Sequence, residues 1–372
     1  MPYFDHNATT PLSGVAREAW LETQDKCWQN PSSLYRGAAM AHQVLEDARE
    51  RVADLLDVEP IRVVFTSGAT EANSAVLAWF GGLREAVGIS PFEHPCVREP
   101  AERWFGGRCF EVDSADVGAF LESKNPALFA MMAASNETGV VLPWQESVAK
   151  CRAFGVPFLC DAVQWIGKMP LKGLDSADYV VASGHKFGGP KGVGFLLVPE
   201  QSGIRLQSGG PQEERRRAGT EDLAGVVAMV AALEELEGKG GSPRGRAVFE
   251  ERVLQELPGT EVVGRGEDRL WNTSMLVMPD FDNRKWLSRL DRRGFQVSTG
   301  AACSTGSDGP TLALAAMGYQ LPQMKRVLRF SGGWETSEDD WRALAEAVVE
   351  VFVELSGSGK KSTSSALAPG GG

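Results

Sequence analysis

The segment ASGHKFGGPKGVG, residues 182–194, sets His185 and Lys186 among five glycines. Apolar residues flank it, Tyr179 to Val181 before and Phe195 to Val198 after, so two short strands meeting at a glycine-rich turn are predicted. A lysine in such a turn is ordinarily a solvated loop residue. Bare backbone around it would also let a ligand approach closely and react with the amine, because glycine has no side chain to obstruct it. The rest of the chain must decide between the two.

Four further stretches carry residues of chemical interest. FTSGATE follows the predicted strand Val63–Phe65 and opens a helix. There Gly68, Ala69 and Thr70 could offer N–H groups and a hydroxyl to a phosphate, or Thr70 could simply cap the helix. The GxxxxGK[ST] spacing of a nucleoside-triphosphate loop is absent, both here and around Lys186. FLCDAVQ ends an apolar strand on Asp161, a carboxylate that is costly to bury unless a cation or donor meets it, although a helix cap suits it equally. Gln164, three residues on, is expected to point the same way. SNETG offers Asn136 as a neutral donor or a turn former, and FEHPCV offers His94 as a structural ring or one that stacks on a flat ligand.

Read together, a phosphate cradle, a buried acid, a neutral donor, a stacking ring and a glycine-flanked lysine match one cofactor, pyridoxal 5′-phosphate. Its aldehyde needs a lysine, its pyridine nitrogen an acid, and its phosphate and ring oxygen need donors. Cys303 adds a second reactive group. It lies in VSTGAACSTGSDGP, among Ser, Thr, Gly and Ala, a composition expected of a mobile loop. A free thiol has a reference pKa of about 8.5, so a minority thiolate exists at neutral pH. Such a nucleophile beside an electron sink could take an atom from a bound amino acid.

These residues need elements to hold them. The 372 residues suggest one large and one smaller domain. Apolar groups at Ala41, Val44, Leu45, Ala48, Val52 and Leu55 mark a helical stripe over residues 37–58. Strands then alternate with helices, with a helix stop at Gly155, so an α/β fold with a mostly parallel sheet is expected. After about residue 257 the units shorten. Strands are predicted at Thr273–Val277, Phe295–Ser298 and Val327–Phe330, a helix over Arg284–Arg293, and a long helix from Ser337, giving a smaller α+β domain. The expected division is 14–256 for the cofactor-binding domain, 1–13 and 257–356 for the smaller one, and a disordered low-complexity tail over 357–372.

Composition limits the function classes. A net charge of -11 and a pI near 5.1 argue against a nucleic-acid surface; the cluster Arg215–Arg217 follows Glu213 and Glu214, leaving room at most for a phosphate. The start MPYFDHNATT has no apolar core, and the longest nearly apolar stretch, Leu223–Leu233, is too short to span a bilayer, so a cytoplasmic protein is expected. The six cysteines include no CxxC pair, which argues against a zinc site, and most are expected to be small buried hydrophobes.

The sequence resembles the cysteine desulfurases, within the class V aminotransferase group of fold-type I pyridoxal-phosphate enzymes. The likeness rests on YFDHNATTPL, NPSS, TSGATEAN, EHPCV, SNETGV, DAVQ, SGHKFGGPKGVG, GGPQEERRRAGT, STGAACS and LRFS, in order from residue 3 to residue 331. It implies a large domain with a mostly parallel seven-stranded sheet. Lys186 would carry the Schiff base, Asp161 would pair with the pyridine nitrogen, and His94 would stack on the ring. Asn136 and Gln164 would face the ring oxygen and substrate. Thr70, Ser183 and His185 would bind phosphate, joined by Thr220 from the second subunit of a homodimer. Arg329 would clamp the substrate carboxylate, helped by Asn7 or Asn136. Cys303 would attack the sulfur of L-cysteine, become a persulfide and pass sulfur to an acceptor protein, an iron–sulfur scaffold or a thiolation partner. The Cys303–Gly318 spacing resembles the longer-loop subgroup, which uses a separate acceptor. A selenocysteine lyase, or another class V lyase or transaminase, is the alternative. The chain departs from the family pattern at Tyr35, Ala38, Trp334 and Gly309, and Cys96 is an added thiol beside His94.

Overall fold

The computed structural model describes residues 2–83, 85–300 and 312–361. Its contacts divide the chain into a larger unit, Thr9–Asn136 with Val141–Gly240, and a smaller one, Met1–Ala8, Glu137–Val140 and Gly241–Gly372. The larger unit runs α1 (Gly14–Lys26), α2 (Arg36–Leu56), β1 (Val63–Thr66), α3 (Ala69–Gly81), β2 (Val87–Ile89), α4 (Pro95–Phe105), β3 (Cys109–Glu111) and α5 (Val117–Lys124). It continues with β4 (Leu128–Met132), α6 (Trp144–Phe154), β5 (Phe158–Asp161), β6 (Tyr179–Ser183), β7 (Gly194–Leu197) and α7 (Leu223–Leu236). The smaller unit holds α8 (Arg244–Glu256), β8 (Glu261–Val262), β9 (Thr273–Val277), α9 (Asn283–Arg292), α10 (Leu312–Ala316), α11 (Leu321–Met324), β10 (Val327–Ser331) and α12 (Glu338–Lys361).

The larger unit's sheet has the order β1-β7-β6-β5-β4-β2-β3. The pairs from β6 to β3 are parallel, and β7 alone runs against its neighbours, antiparallel to both β6 and β1. Strands β4, β5 and β6 are buried along their whole length, as parallel strands covered on both faces must be. Their near-continuous apolar runs follow from that. Helix α7 is apolar around most of its circumference, and ten of its residues are buried. Helix α3 buries one stripe, Ala72, Asn73, Val76, Leu77 and Phe80, against a core that includes Val64, Ile89, Ala130, Leu159 and Val181.

In the smaller unit, β9 is the middle strand, antiparallel to β10 and β8. Phe4, Phe249, Trp286, Phe330, Trp341 and Leu344 form its core. Residues 295–298 form no strand. Gln296 and Ser298 make single bridges, to Tyr3 and Arg329, between two glycines at positive φ, Gly294 and Gly300. The observed boundary also falls one helix earlier than the expected one at 256/257. The reason is that α8 packs along α12, burying Phe249 and Val253 in the smaller unit's core. Thr9–Ser13 lie in the larger unit, where Ser13 N–H donates to Gly188 O. Helix α12 runs to Lys361, into the stretch expected to be disordered; the rest of that stretch lies outside the described residues. No helix among the described residues is long and apolar enough to cross a membrane.

Candidate active site

The parallel strands of the larger unit end along one edge of the sheet, the place where α/β folds gather ligands. β1 leads there into Gly68 and α3, β2 into His94 and α4, β4 towards Asn136, β5 ends on Asp161, and β6 ends on Ser183 ahead of Lys186. The structure therefore brings together at one edge every residue of the larger unit's predicted site except Thr220, which lies in an exposed, irregular stretch after Gly219.

The lysine turn is built by backbone contacts. After β6 the chain makes one 3-10 turn, Gly184–Lys186, and returns as β7. Thr10 clamps it: its N–H and hydroxyl both donate to His185 O, at 2.8 and 2.9 Å, and its oxygen accepts Gly188 N–H at 2.8 Å. Lys186 is half-buried. His185 Nδ1 lies 3.0 Å from Thr9 Oγ1. Burial, reinforced by the charges of Lys186, Lys191 and Lys168, lowers the imidazole from 6.5 to about 4, so the ring is neutral at neutral pH.

The cradle beside it depends on two glycines. Gly68, not Thr70, is the N-cap of α3; it sits at φ 137° and gives the helix no side-chain cap, while Thr70 is exposed. A Cβ on Gly194 would lie 2.8 Å from Gly68 Cα, backbone against backbone, and one on Gly68 would lie 3.3 Å from Ser183 Oγ. Glu71 accepts Ser67 N–H at 2.8 Å and pairs with Arg217 Nε at 3.0 Å, tying the EERRRAGT loop to this helix. Two of that loop's three arginines are thus used internally, since buried Arg216 donates to Ile61 O and Glu200 O. Glu213 is buried too, where it pairs with Arg49 and accepts Phe65 N–H.

Asp161 is 5% exposed, and neutral donors meet it: Val163 N–H at 3.1 Å on Oδ1, and Asn73 Nδ2 at 2.9 Å on Oδ2. Cys96 Sγ lies 3.9 Å from the same Oδ2 and accepts from Asn73 at 3.3 Å. His94 caps α4, its Nδ1 accepting Cys96 N–H at 3.1 Å, which places the proton of the neutral ring on Nε2. Buried Gln164 accepts from the buried ammonium of Lys168 through Oε1. Asn136 is half-buried, four residues past the end of β4.

The smaller unit holds Arg329 and Asn7. Arg329 lies in mid-β10, is 1% exposed, and pairs with Asp5 Oδ1 at 2.6 Å. Asn7 is equally buried, its amide engaged by Thr273 and Asn272, which makes it a support for this region. Cys303 and Gly309 lie outside the described residues. Of the five cysteines described, only Cys151 and Cys160 are buried; Cys27, Cys96 and Cys109 are partly exposed.

Sequence reasoning did not single out Thr10, Asn73, Glu93 or Asp5. Asn73 had a legible signal, a polar residue on the apolar stripe of a helix. Glu93 is 2% exposed and accepts Met132 N–H at 2.6 Å; burial, then the nearby charge of Asp161, raises its pKa to about 8.

The sheet, its lone antiparallel strand and the lysine turn at its carboxyl edge define a fold-type I enzyme. Comparison with known proteins gives the family. The Aminotransferase class-V profile matches residues 2–344. A cysteine desulfurase of Klebsiella pneumoniae is 35% identical over 356 residues, covering 91% of this chain and 89% of that protein. A solved NifS-like protein superposes with a TM-score of 0.85 at 27% identity, covering 95% of this chain and 99% of that one. SspA in complex with cysteine does so with a TM-score of 0.77 at 26% identity, covering 89% and 98%. The chain belongs to the class-V aminotransferase family, in its cysteine desulfurase branch.

Proposed function

We propose that the chain removes sulfur from L-cysteine, releasing L-alanine, with pyridoxal 5′-phosphate as cofactor. The observation that carries this reading is the convergence of Asp161, His94, the start of α3 and the Lys186 turn at one edge of one sheet.

The residues fit that cofactor. A buried carboxylate met, among the described residues, by neutral donors has the chemistry to take a pyridinium N–H, and a helix start with a glycine cap accepts a phosphate. Asp161 would hold the ring nitrogen, His94 would cover the ring, and Gly68–Thr70, Ser183 and neutral His185 would hold the phosphate. Lys186 would hold the aldehyde. When bound, the cofactor supplies an electron sink for the α-carbon of an amino acid.

The chain's own groups do the rest. Arg329, whose guanidinium also pairs with Asp5, binds the substrate carboxylate, a bidentate task suited to guanidinium. The Lys186 amine, released when substrate enters, takes the α-proton at Nζ. The Cys303 thiolate forms an S–S bond to the substrate sulfur as the carbon–sulfur bond breaks; the electron pair stays on carbon, which is protonated and leaves as alanine. The persulfide then passes its outer sulfur to an acceptor protein. A homodimer, with Thr220 reaching the partner's phosphate site, is supported by exposed apolar side chains from Leu12 to Met40, Trp28 and Leu34 among them.

The test is a visible spectrum of the purified chain before and after L-cysteine, with alanine and protein persulfide measured and L-selenocysteine run in parallel. A yellow chromophore and stoichiometric alanine from cysteine are expected. A colourless chain, or turnover of selenocysteine alone, overturns the reading.

A further inference from the structure

Asn73 sits where a hydrocarbon would be expected. It is fully buried, on the stripe of α3 that otherwise holds Ala72, Val76, Leu77 and Phe80. Its Oδ1 is buried with no hydrogen-bond partner among the described residues, which costs stability in a core of this kind. Its Nδ2, in contrast, uses both hydrogens, on Asp161 Oδ2 at 2.9 Å and on Cys96 Sγ at 3.3 Å. Cys96 closes the triangle at 3.9 Å from Oδ2. The other oxygen of Asp161 is fixed by Val163 N–H, a backbone donor that belongs to the turn after β5.

We infer that Asn73 is a positioning residue that aims the Asp161 carboxylate at the cofactor's ring nitrogen. This rests on the reading of Asp161 given above. One donor from the β5 turn fixes one oxygen but leaves the carboxylate plane free to rotate about it. A second donor from a different element, α3, fixes the plane. The same helix carries the phosphate cradle at its first turn, so Asn73 sets the acid in register with the phosphate site. The unmet Oδ1 is the cost of holding that geometry. Cys96 accepts from the amide and directs its own weak S–H donor at Asp161 Oδ2, which keeps the amide turned towards Asp161.

The test is a double-mutant cycle on full-length protein stripped of cofactor and titrated with pyridoxal 5′-phosphate, affinity read by fluorescence and the visible band. Asn73→Leu keeps the size and removes the donor; Asn73→Ala serves if the leucine variant does not fold. Expected is a loss of affinity of roughly ten- to a hundredfold, the range for one hydrogen bond to a charged group. On an Asp161→Asn background, the same substitution should change affinity by less than about twofold, because its effect runs through Asp161. A merely structural role would make the two effects multiply, which overturns the inference, as would unchanged affinity in Asn73→Leu. If Asp161→Asn alone binds cofactor like the unmodified chain, the reading of Asp161 itself fails, and the inference with it.

Discussion

Glu93 supplies a prediction that can be worked through in numbers. Its carboxyl is 2% exposed; one oxygen accepts Met132 N–H at 2.6 Å and the other has no hydrogen-bond partner among the described residues. Burial first, and Asp161 second, raise its pKa from 4.5 to about 8. At neutral pH the folded chain therefore keeps a proton that the unfolded chain has released. Its contribution to stability is fully present below pH 4.5 and is lost as pH rises towards 8, at about 1.4 kcal/mol per pH unit. Between about pH 5 and pH 7.5 this amounts to about 3 kcal/mol. Glu93→Gln keeps the oxygen for Met132 and cannot titrate. Urea unfolding of the cofactor-free chain across that range, with the free energy of the parent subtracted from that of the variant, cancels the titrations that do not couple to Glu93. The difference should shift in favour of glutamine by about 3 kcal/mol as pH rises. A difference constant with pH would show that Glu93 is ionised in the folded chain and that the reasoning is wrong.

Three further outcomes are expected. Cys303→Ala should keep the visible cofactor band yet form alanine and persulfide at least about a hundredfold more slowly, as removal of a nucleophile does; parental rates would remove Cys303 from the mechanism. His185, lowered to about 4, contributes stability that is present above pH 6.5 and lost as pH falls towards 4; because the ring is partly exposed, screening limits this to about 1–2 kcal/mol, and His185→Gln should flatten the acid limb of a stability–pH curve by that amount. Gly194→Ala forces a Cβ to 2.8 Å from Gly68 Cα, where only backbone could yield, so both thermal stability and cofactor affinity should fall, and a variant that loses neither would contradict the close approach.

Much of this was legible in the sequence because the signals were local. The strands Thr273–Val277 and Val327–Phe330, the helix stop at Gly155 and the return of the chain after Lys186 each follow from a short run of residue types, and each is found. Residues 295–298 carry the same apolar character and yet make only isolated bridges, since pairing partners are a tertiary property that composition does not report. The same holds for α8, an amphipathic helix whose partner, α12, is nearly a hundred residues away. At the site, the burial of Asp161 could be anticipated from the apolar strand it ends, but not the residue that meets it. Asn73 is separated from Asp161 by 88 residues, and only the fold shows that a polar side chain on an apolar helix stripe and an acid at a strand end face one another.

Helix α3 explains why these roles cannot be dealt with one at a time. Within its first two turns it presents a glycine-capped start at Gly68, an exposed hydroxyl at Thr70, a carboxylate at Glu71 that holds both Ser67 N–H and Arg217, and the Asn73 amide on Asp161. Each residue advances about 100° around the helix axis, so these groups leave in different directions and must all be correct for one rotation of the helix. That rotation is fixed by Ala72, Val76, Leu77 and Phe80 in the core and by the contact of Gly68 with Gly194. Arg217 extends the same constraint to the loop that carries Thr220, three residues on. A one-residue slip in α3 would turn Asn73 away from Asp161, release the Arg217 loop and put a side chain where Gly68 now sits against Ser183 and Gly194. The glycine-capped start of α3, the Asn73–Asp161 contact and the anchoring of the Thr220 loop are therefore set by a single packing decision, made by the hydrocarbon residues Ala72, Val76, Leu77 and Phe80.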